Sequence, residues 1–405
     1  MPDIASVSTV IEVLEKLESF DIRVHPQRCV CVRNRHARCS RCSDACTSGA
    51  ISLKDELSID PDLCVGCGTC ATVCPTCALE TIHPNDAELL QRAKPIIKAT
   101  DGQLAFLCHT ARESATLPLD GEQLIELTCL SRLEESLLTS LFAFGAEDIL
   151  LIKGDCESCP RRQGVETIEL VLETMQALTA AWNLTQTLDL TTEIPPKLFL
   201  APRASEARQV SDGVSRREFF TLIKENTKEV AAATAQVTLD HYAAVKHEDE
   251  TAHVPVHVMR DGTLPHFVPS RRERLLDQLE YLGSPVVDTI NIRLWGHIIL
   301  DGERCSSCRM CATFCPTGAI CKFDDPDGTF GIEHYMADCV HCRLCEDVCR
   351  EHAIVCSTKV PIKKLVEGEI ERYEMKPLEW LPNKADSIFR KMQTVIPNAN
   401  MHERC

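Results

Sequence analysis

Four stretches of this chain set cysteines at the spacing of metal ligands. They are Cys39-x2-Cys42-x3-Cys46, Cys64-x2-Cys67-x2-Cys70-x3-Cys74, Cys305-x2-Cys308-x2-Cys311-x3-Cys315 and Cys339-x2-Cys342-x2-Cys345-x3-Cys349. Thiolates are soft ligands, suited to zinc, copper or iron–sulfur centres. Zinc sites usually join two Cys-x2-Cys knuckles a dozen or more residues apart, which fits these runs poorly. Three cysteines at i, i+3 and i+6 instead wrap a tight loop round one corner of a small inorganic cube. The fourth, four residues on, points the other way and reaches a neighbouring cluster. Such clusters move one electron at a time, so the chemistry in view is electron transfer. Each run also ends in an Ala-Ile-like pair, as in Ala50-Ile51 and Ala319-Ile320. Because the runs come as two pairs, the chain reads as a duplicated two-repeat module.

The rest of the composition narrows the setting. There are 25 cysteines in 405 residues. Ten lie between Cys29 and Cys77, four between Cys108 and Cys159, ten between Cys305 and Cys356, and Cys405 ends the sequence. Disulfide scaffolds are typically short secreted chains without a core, whereas a chain this long can bury one. The opening twenty residues carry no basic stretch followed by an apolar run, so no secretory leader is expected. No run of eighteen apolar residues occurs, so no membrane span is expected either. A net charge of −17 argues against nucleic acid as a partner. A cytoplasmic setting with reduced thiols is the expectation.

Over roughly 22–82 and 292–358 the runs resemble bacterial two-cluster [4Fe-4S] ferredoxins. The exchange of fourth ligands in that family implies four [4Fe-4S] clusters here. One would take Cys305, Cys308, Cys311 and Cys349, and its neighbour Cys315, Cys339, Cys342 and Cys345. In the first module one cluster would take Cys46, Cys64, Cys67 and Cys70. The last has Cys39, Cys42 and Cys74 but no cysteine three residues before Cys39, where His36 stands. Cys29 is the first choice for the missing ligand, with Cys31, His36 or a three-cysteine site as alternatives. Six arginines (Arg23, Arg28, Arg33, Arg35, Arg38 and Arg41) crowd this module without an intervening acid. They suit either neutralisation of thiolates or a role in docking and tuning. Cys77, Cys321 and Cys356 fall outside the ligand count and read as small buried apolar residues.

Between the modules the pattern changes. Leu104–Leu107, Leu124–Leu127 and Ile149–Ile152 read as short buried strands, each ending near a cysteine. Leu133, Leu137, Leu138, Leu141 and Phe142 fall at helical spacing, as do Ile168, Val171, Leu172, Met175 and Leu178. Alternating strands and helices predict a parallel α/β sheet, whose ligands bind beyond the carboxyl ends of the strands. Cys108, Cys129, Cys156 and Cys159 all fall there. Residues 104–164, notably Leu127-Thr-Cys129-Leu-Ser-Arg132 and Lys153-Gly-Asp-Cys156, resemble the delta subunit of methyl-viologen-reducing hydrogenase. That family carries electrons between a hydrogenase and a heterodisulfide reductase. The resemblance implies that these four cysteines bind a further cluster, [2Fe-2S] or [4Fe-4S].

The expected fold class is therefore α+β ferredoxin-like dicluster modules at both ends with a central α/β parallel-sheet domain and a helical linker. The expected bounds are 1–83 for the first module, 84–203 for the sheet domain, 204–290 for a helical or irregular linker, 291–360 for the second module and 361–405 for a partner-binding tail. Neither Ser215-Arg-Arg-Glu-Phe-Phe220, far from the start, nor His253-x3-His257, interrupted by Pro255, reads as a functional motif. No phosphate loop, zinc-protease motif or nucleophile elbow appears. The function expected is an electron-transfer subunit of an anaerobic cytoplasmic oxidoreductase complex rather than an enzyme with its own substrate site. Its redox protein partners would be hydrogenase, formate dehydrogenase or heterodisulfide-reductase-like subunits. Electrons would cross one module, the middle cluster and then the other module. A dithiol oxidoreductase using Cys156 and Cys159, or a redox-sensing scaffold, is the alternative.

Overall fold

The structure is a computed structural model and is described for residues 22–53, 56–199 and 264–376, all within one compact unit. The Ser215–Phe220 motif, the His253/His257 pair, most of the expected linker, the end of the expected tail and Cys405 lie outside the described residues.

The first region runs β1 (Ile22–Val24), α1 (Val30–Arg33), α2 (Arg41–Asp44), β2 (Ile51–Ser52), β3 (Ser58–Ile59), α3 (Thr69–Val73) and β4 (Leu79–Thr81). β1 pairs antiparallel with β4, and β2 with β3. Its helices are only four or five residues long. Its core is thin: a few apolar residues such as Ile22, Leu57 and Leu79 share it with the cysteines themselves.

Next come α4 (Asp86–Ala99), β5 (Gln103–Cys108), α5 (His109–Ser114), β6 (Leu124–Leu127), α6 (Glu135–Ala143), β7 (Asp148–Ile152), α7 (Gly164–Trp182) and β8 (Thr187–Thr191). They form the parallel sheet anticipated from sequence, with strand order β6-β5-β7-β8. Phe106, Ile125, Leu137, Leu138, Leu141 and Leu151 are fully buried in its core. Chain order reverses between β5 and β7, which opens a crevice at their carboxyl ends. β8 alternates Leu188 and Leu190 with polar residues, as an edge strand does. α4 begins at a reciprocal cap between Asn85 and Glu88.

Helix α8 (Ser270–Leu282) falls in the stretch expected as linker, yet it belongs to the sheet's packing. Leu275 and Leu279 are buried in the sheet core, and the Trp182 indole donates to the carbonyls of Leu279 and Gly283 at 3.1 Å each. An ionic clamp holds it: Arg274 pairs with Asp86, and Asp86 also accepts from Arg132 at 2.6 Å. Burial alone would raise the Asp86 carboxyl, but Arg132 and Arg274 outweigh it and hold it below its ordinary range.

The last region runs β9 (Ile290–Asn291), β10 (His297–Leu300), α9 (Met310–Phe314), β11 (Ile320–Asp324), β12 (Phe330–Tyr335), α10 (Leu344–Asp347), β13 (Ile354–Ser357), β14 (Lys359–Val360), α11 (Ile362–Val366) and β15 (Ile370–Glu374). β10 pairs antiparallel with β13, as β1 does with β4, and β11 with β12, as β2 does with β3. Part of the expected tail is folded body. Ile362 and Leu365 are buried in the sheet domain's core, and β15 adds a third strand beside β12. No helix among the described residues is long and apolar enough to cross a membrane.

Candidate thiol-ligated cluster sites

Two cavities of the first region are ringed by the expected thiols. One is lined by Cys29, Cys39, Cys42 and Cys74, together with Arg41. The other is lined by Cys46, Cys64, Cys67 and Cys70. These are the Cys29 set and the Cys64 set. Cys31 stands beside the first cavity with its thiol donating to the Cys39 carbonyl at 3.1 Å, and His36 is exposed. A hydrogen bond from Cys31 outweighs burial and lowers Cys29 to about 6, which favours its thiolate. Burial pushes Cys42 up to about 12, with Cys74, Cys29 and Cys39 adding to it. Buried thiols that repel one another's ionisation become good ligands once a polynuclear iron centre supplies positive charge. The residues present therefore fit such a centre.

In the last region the expected sets are Cys315 with Cys339, Cys342 and Cys345 (the Cys315 set) and Cys305 with Cys308, Cys311 and Cys349 (the Cys305 set), and their thiols act on one another. In the Cys315 set, Cys342 is raised by burial and then by Cys315, Cys345 and Cys339. In the Cys305 set, Cys311 is raised by burial and, among others, by Cys308 and Cys349. The equivalent backbone donors recur: Ala78 N–H to Cys74 Sγ and Ala353 N–H to Cys349 Sγ, both 3.3 Å. Cys356, expected as a buried bystander, is buried, but its thiol contacts those of Cys339 and Cys345. Cys77 is buried, and Cys321 donates to the Gly318 carbonyl at 2.9 Å.

At the carboxyl edge of the sheet, Cys108 ends β5, Cys129 follows β6, and Cys156 and Cys159 follow β7. Cys108 Sγ accepts from Gly154 N–H at 3.2 Å across the β5/β7 crevice and from Ala111 N–H at 3.4 Å. Cys159 Sγ lies 3.5 Å from the Thr110 hydroxyl and accepts from Arg161 N–H. Cys129 Sγ accepts from the Ser131 hydroxyl at 3.1 Å. The backbone is pressed close at two glycines. A Cβ on Gly154 would stand 2.6 Å from Ala111 N, and one on Gly164 would stand 2.7 Å from Cys129 Sγ. Burial raises the Cys156 thiol although Lys153 opposes it.

A family model described as a 4Fe-4S dicluster domain matches residues 31–78. Over 66 residues the chain is 41% identical to pyruvate synthase subunit PorD of Methanocaldococcus jannaschii, which covers 16% of this chain and 69% of that relative. The chain belongs to the 4Fe-4S dicluster family. No solved structure matches it. The matched dicluster domain begins at Cys31, whereas the cavity is lined by Cys29 two residues earlier.

The dicluster domain is tied to both other regions. Ser131, after β6, receives a hydrogen bond from Thr69 at 2.7 Å and reaches the Cys67 carbonyl at 3.3 Å as well as Cys129 Sγ. Arg161 donates to the Val65 carbonyl at 3.2 Å. On the other side, Arg41 donates to the His341 carbonyl at 3.0 Å, and Arg38 N–H to Asp347 at 3.0 Å. Buried Arg33 donates to the Pro265 carbonyl at 2.8 Å and lies within electrostatic reach of Cys315 and Cys342. Two of the crowded arginines, Arg33 and Arg41, thus turn their side chains toward the second cysteine-rich region or the segment before it, while Arg38 is exposed. Sequence reasoning missed Ser131 and Arg161. A lone serine carries no signal, and only its place two residues after Cys129 hinted at it. The two cysteine-rich regions touch directly, and the sheet edge meets the first of them.

Proposed function

We propose that the chain is an electron-transfer subunit holding five iron–sulfur clusters within a larger oxidoreductase complex. The observation that carries this reading is the pair of cavities in the dicluster domain, each ringed by four thiols. The Cys29 and Cys64 sets would each hold a [4Fe-4S] cluster. The Cys305 and Cys315 sets would hold two more, and the sheet-edge set a [2Fe-2S] or [4Fe-4S] cluster. When bound, each cluster accepts and releases one electron at a time. The chain's own residues bind it through thiolates, orient those thiolates through backbone N–H groups, and offset their charge with Arg33 and Arg41. One redox protein partner is oxidised by one electron and another reduced by one, so the chain ends unchanged. Hydrogenase, formate dehydrogenase and heterodisulfide-reductase-like subunits are candidate partners. The likeness to a pyruvate synthase subunit adds a pyruvate synthase to them.

A dithiol reductase built on Cys156 and Cys159 fits less well. An attacking thiol gains from a lowered pKa, whereas Cys156 is raised. Iron and acid-labile sulfide, assayed on anaerobically purified protein, test the proposal. Four [4Fe-4S] clusters and a [2Fe-2S] require about 18 irons per chain, and the matched domain alone about 8. A count near 16, with Cys156 and Cys159 alkylated only after reduction, would overturn the sheet-edge assignment in favour of the dithiol.

A further inference from the structure

We propose that the five thiol sets form one unbranched series with the sheet-edge set at its end. The order is sheet-edge set, Cys64 set, Cys29 set, Cys315 set, Cys305 set. This rests on the reading of each set as a cluster site, and it replaces the arrangement suggested by chain order, in which the sheet domain stands between the two cysteine-rich regions.

Each junction is carried by named contacts. The first is Ser131, whose hydroxyl touches both Cys129 Sγ of the sheet-edge set and the Cys67 carbonyl of the Cys64 set. Arg161, two residues after Cys159, and Gln163 reinforce it, donating to the Val65 carbonyl and the Thr47 hydroxyl. The second junction is internal to the dicluster domain. α2, which carries Cys42, packs on α3, which carries Cys70, and Cys42 and Cys46 act electrostatically on Cys70. The third is Arg41, which lines the Cys29 cavity and donates to the carbonyl of His341, between Cys339 and Cys342. Arg38 and Arg33 cross the same boundary, to Asp347 and into the field of Cys315 and Cys342. The fourth repeats the second: α9 packs on α10, and Cys311 feels Cys345.

The sheet-edge set meets the dicluster domain on the Cys64 side, whereas the second region meets it on the Cys29 side. Cys156 and Cys159 at the sheet edge and Cys305 and Cys308 at the other end are part-exposed, as are Cys46, Cys64 and Cys67 of the dicluster domain. It is the contacts, not the exposure, that make the two ends of the series the two ports, one per redox partner, with the dicluster domain as interior wiring. Arg41 and Ser131 are positioning residues within it.

Spin–spin coupling in the dithionite-reduced full-length chain tests the order without any measure of turnover. In Cys129→Ser/Cys156→Ser the sheet-edge signal should vanish. The coupling between the dicluster domain and the second region should persist, with altered relaxation confined to the Cys64 cluster. Loss of that inter-region coupling would overturn the series and restore the sheet domain to a bridging place. Arg41→Gln leaves every thiol intact and should lower the midpoint potentials of the two clusters that flank it while the sheet-edge potential holds. Movement of the sheet-edge potential instead, or of neither flanking potential, would also overturn the series. Iron assayed on the wild-type sample separates the two ideas. About 8 irons per chain would overturn the five-cluster reading itself, whereas a full complement with the wrong coupling overturns only the order.

Discussion

The dicluster domain and the sheet edge gather thiols in two different ways. In the first, three thiols of the Cys64 set lie within seven residues of chain and two of the Cys29 set within four, and the helices around them are four or five residues long. Local spacing makes the site, and little apolar core supports it. At the sheet edge the four thiols come from the ends of three strands that a large buried core has already brought together. There, topology would make the proposed site. The difference teaches that the two should depend on their clusters to different degrees. A site without a core draws its folding energy from the metal, while a site on a finished sheet does not.

The sharpest way to break this contrast is to remove one ligand from each. Cys64→Ala should cost about four irons and abolish amide-exchange protection across residues 58–81, leaving the sheet protected. Cys156→Ala should lose the sheet-edge cluster alone, with protection of β5 and β7 unchanged. If the sheet amides open along with their cluster, the contrast fails.

A second test concerns the clamp that makes the sheet domain self-sufficient. In Asp86→Asn, Arg132 and Arg274 lose their shared carboxylate, at a cost of about 3 kcal/mol in urea unfolding of the sheet. That is the low end for breaking a buried pair, since about a quarter of the Asp86 side chain is exposed. The folded carboxyl is held below its ordinary range, so its contribution is complete above about pH 4 and fades as pH falls through the lowered value. Wild type and variant should converge on the acid side. A constant difference down to pH 2 would remove the clamp from the account.

What the sequence disclosed follows the same division. The cysteine runs were legible because residue spacing is written in the chain, and seven of the eight thiols that ring the cavities of the dicluster domain are the ones that spacing named, Cys29 being the first choice among alternatives where spacing pointed to His36. The parallel sheet was legible from short apolar runs such as Leu104–Leu107 and Ile149–Ile152. The neighbour relations were not. That Arg41 meets His341, or that α8 packs on α6, depends on how surfaces 130 to 300 residues apart match, and such matching leaves no periodic trace. The folded part of the expected tail was missed for a related reason. Ile362, Leu365 and Val366 share a five-residue helix with Lys363 and Lys364, too short a stretch to signal a helix until a core receives it.

A smaller effect should come from Gly164→Ala. Its Cβ would fall 2.7 Å from Cys129 Sγ and 3.0 Å from the Ser131 hydroxyl, so something must shift. Overpacking of this kind costs about 1–3 kcal/mol. The cost should fall on the sheet edge, as a changed spectrum of its cluster, with the signals of the Cys29 set unaltered. A change in both would mean that the two kinds of site are less separable than their construction suggests.

The smallest effect probes the seam itself. Ser131 is buried, accepts from Thr69, and turns its own hydroxyl toward the Cys67 carbonyl and Cys129 Sγ. In Ser131→Ala the Thr69 hydroxyl loses that acceptor, and Cys129 loses a donor that favours its thiolate. The expected loss is about 1 kcal/mol of stability, with a sheet-edge potential shifted downward because one hydrogen bond to a ligating sulfur is gone. Ser131→Thr, which keeps the hydroxyl, should retain the potential even where packing costs stability. If alanine and threonine shift the potential alike, the seam is held by shape alone, and the hydroxyl contributes nothing to the join between a site made by spacing and a site made by topology.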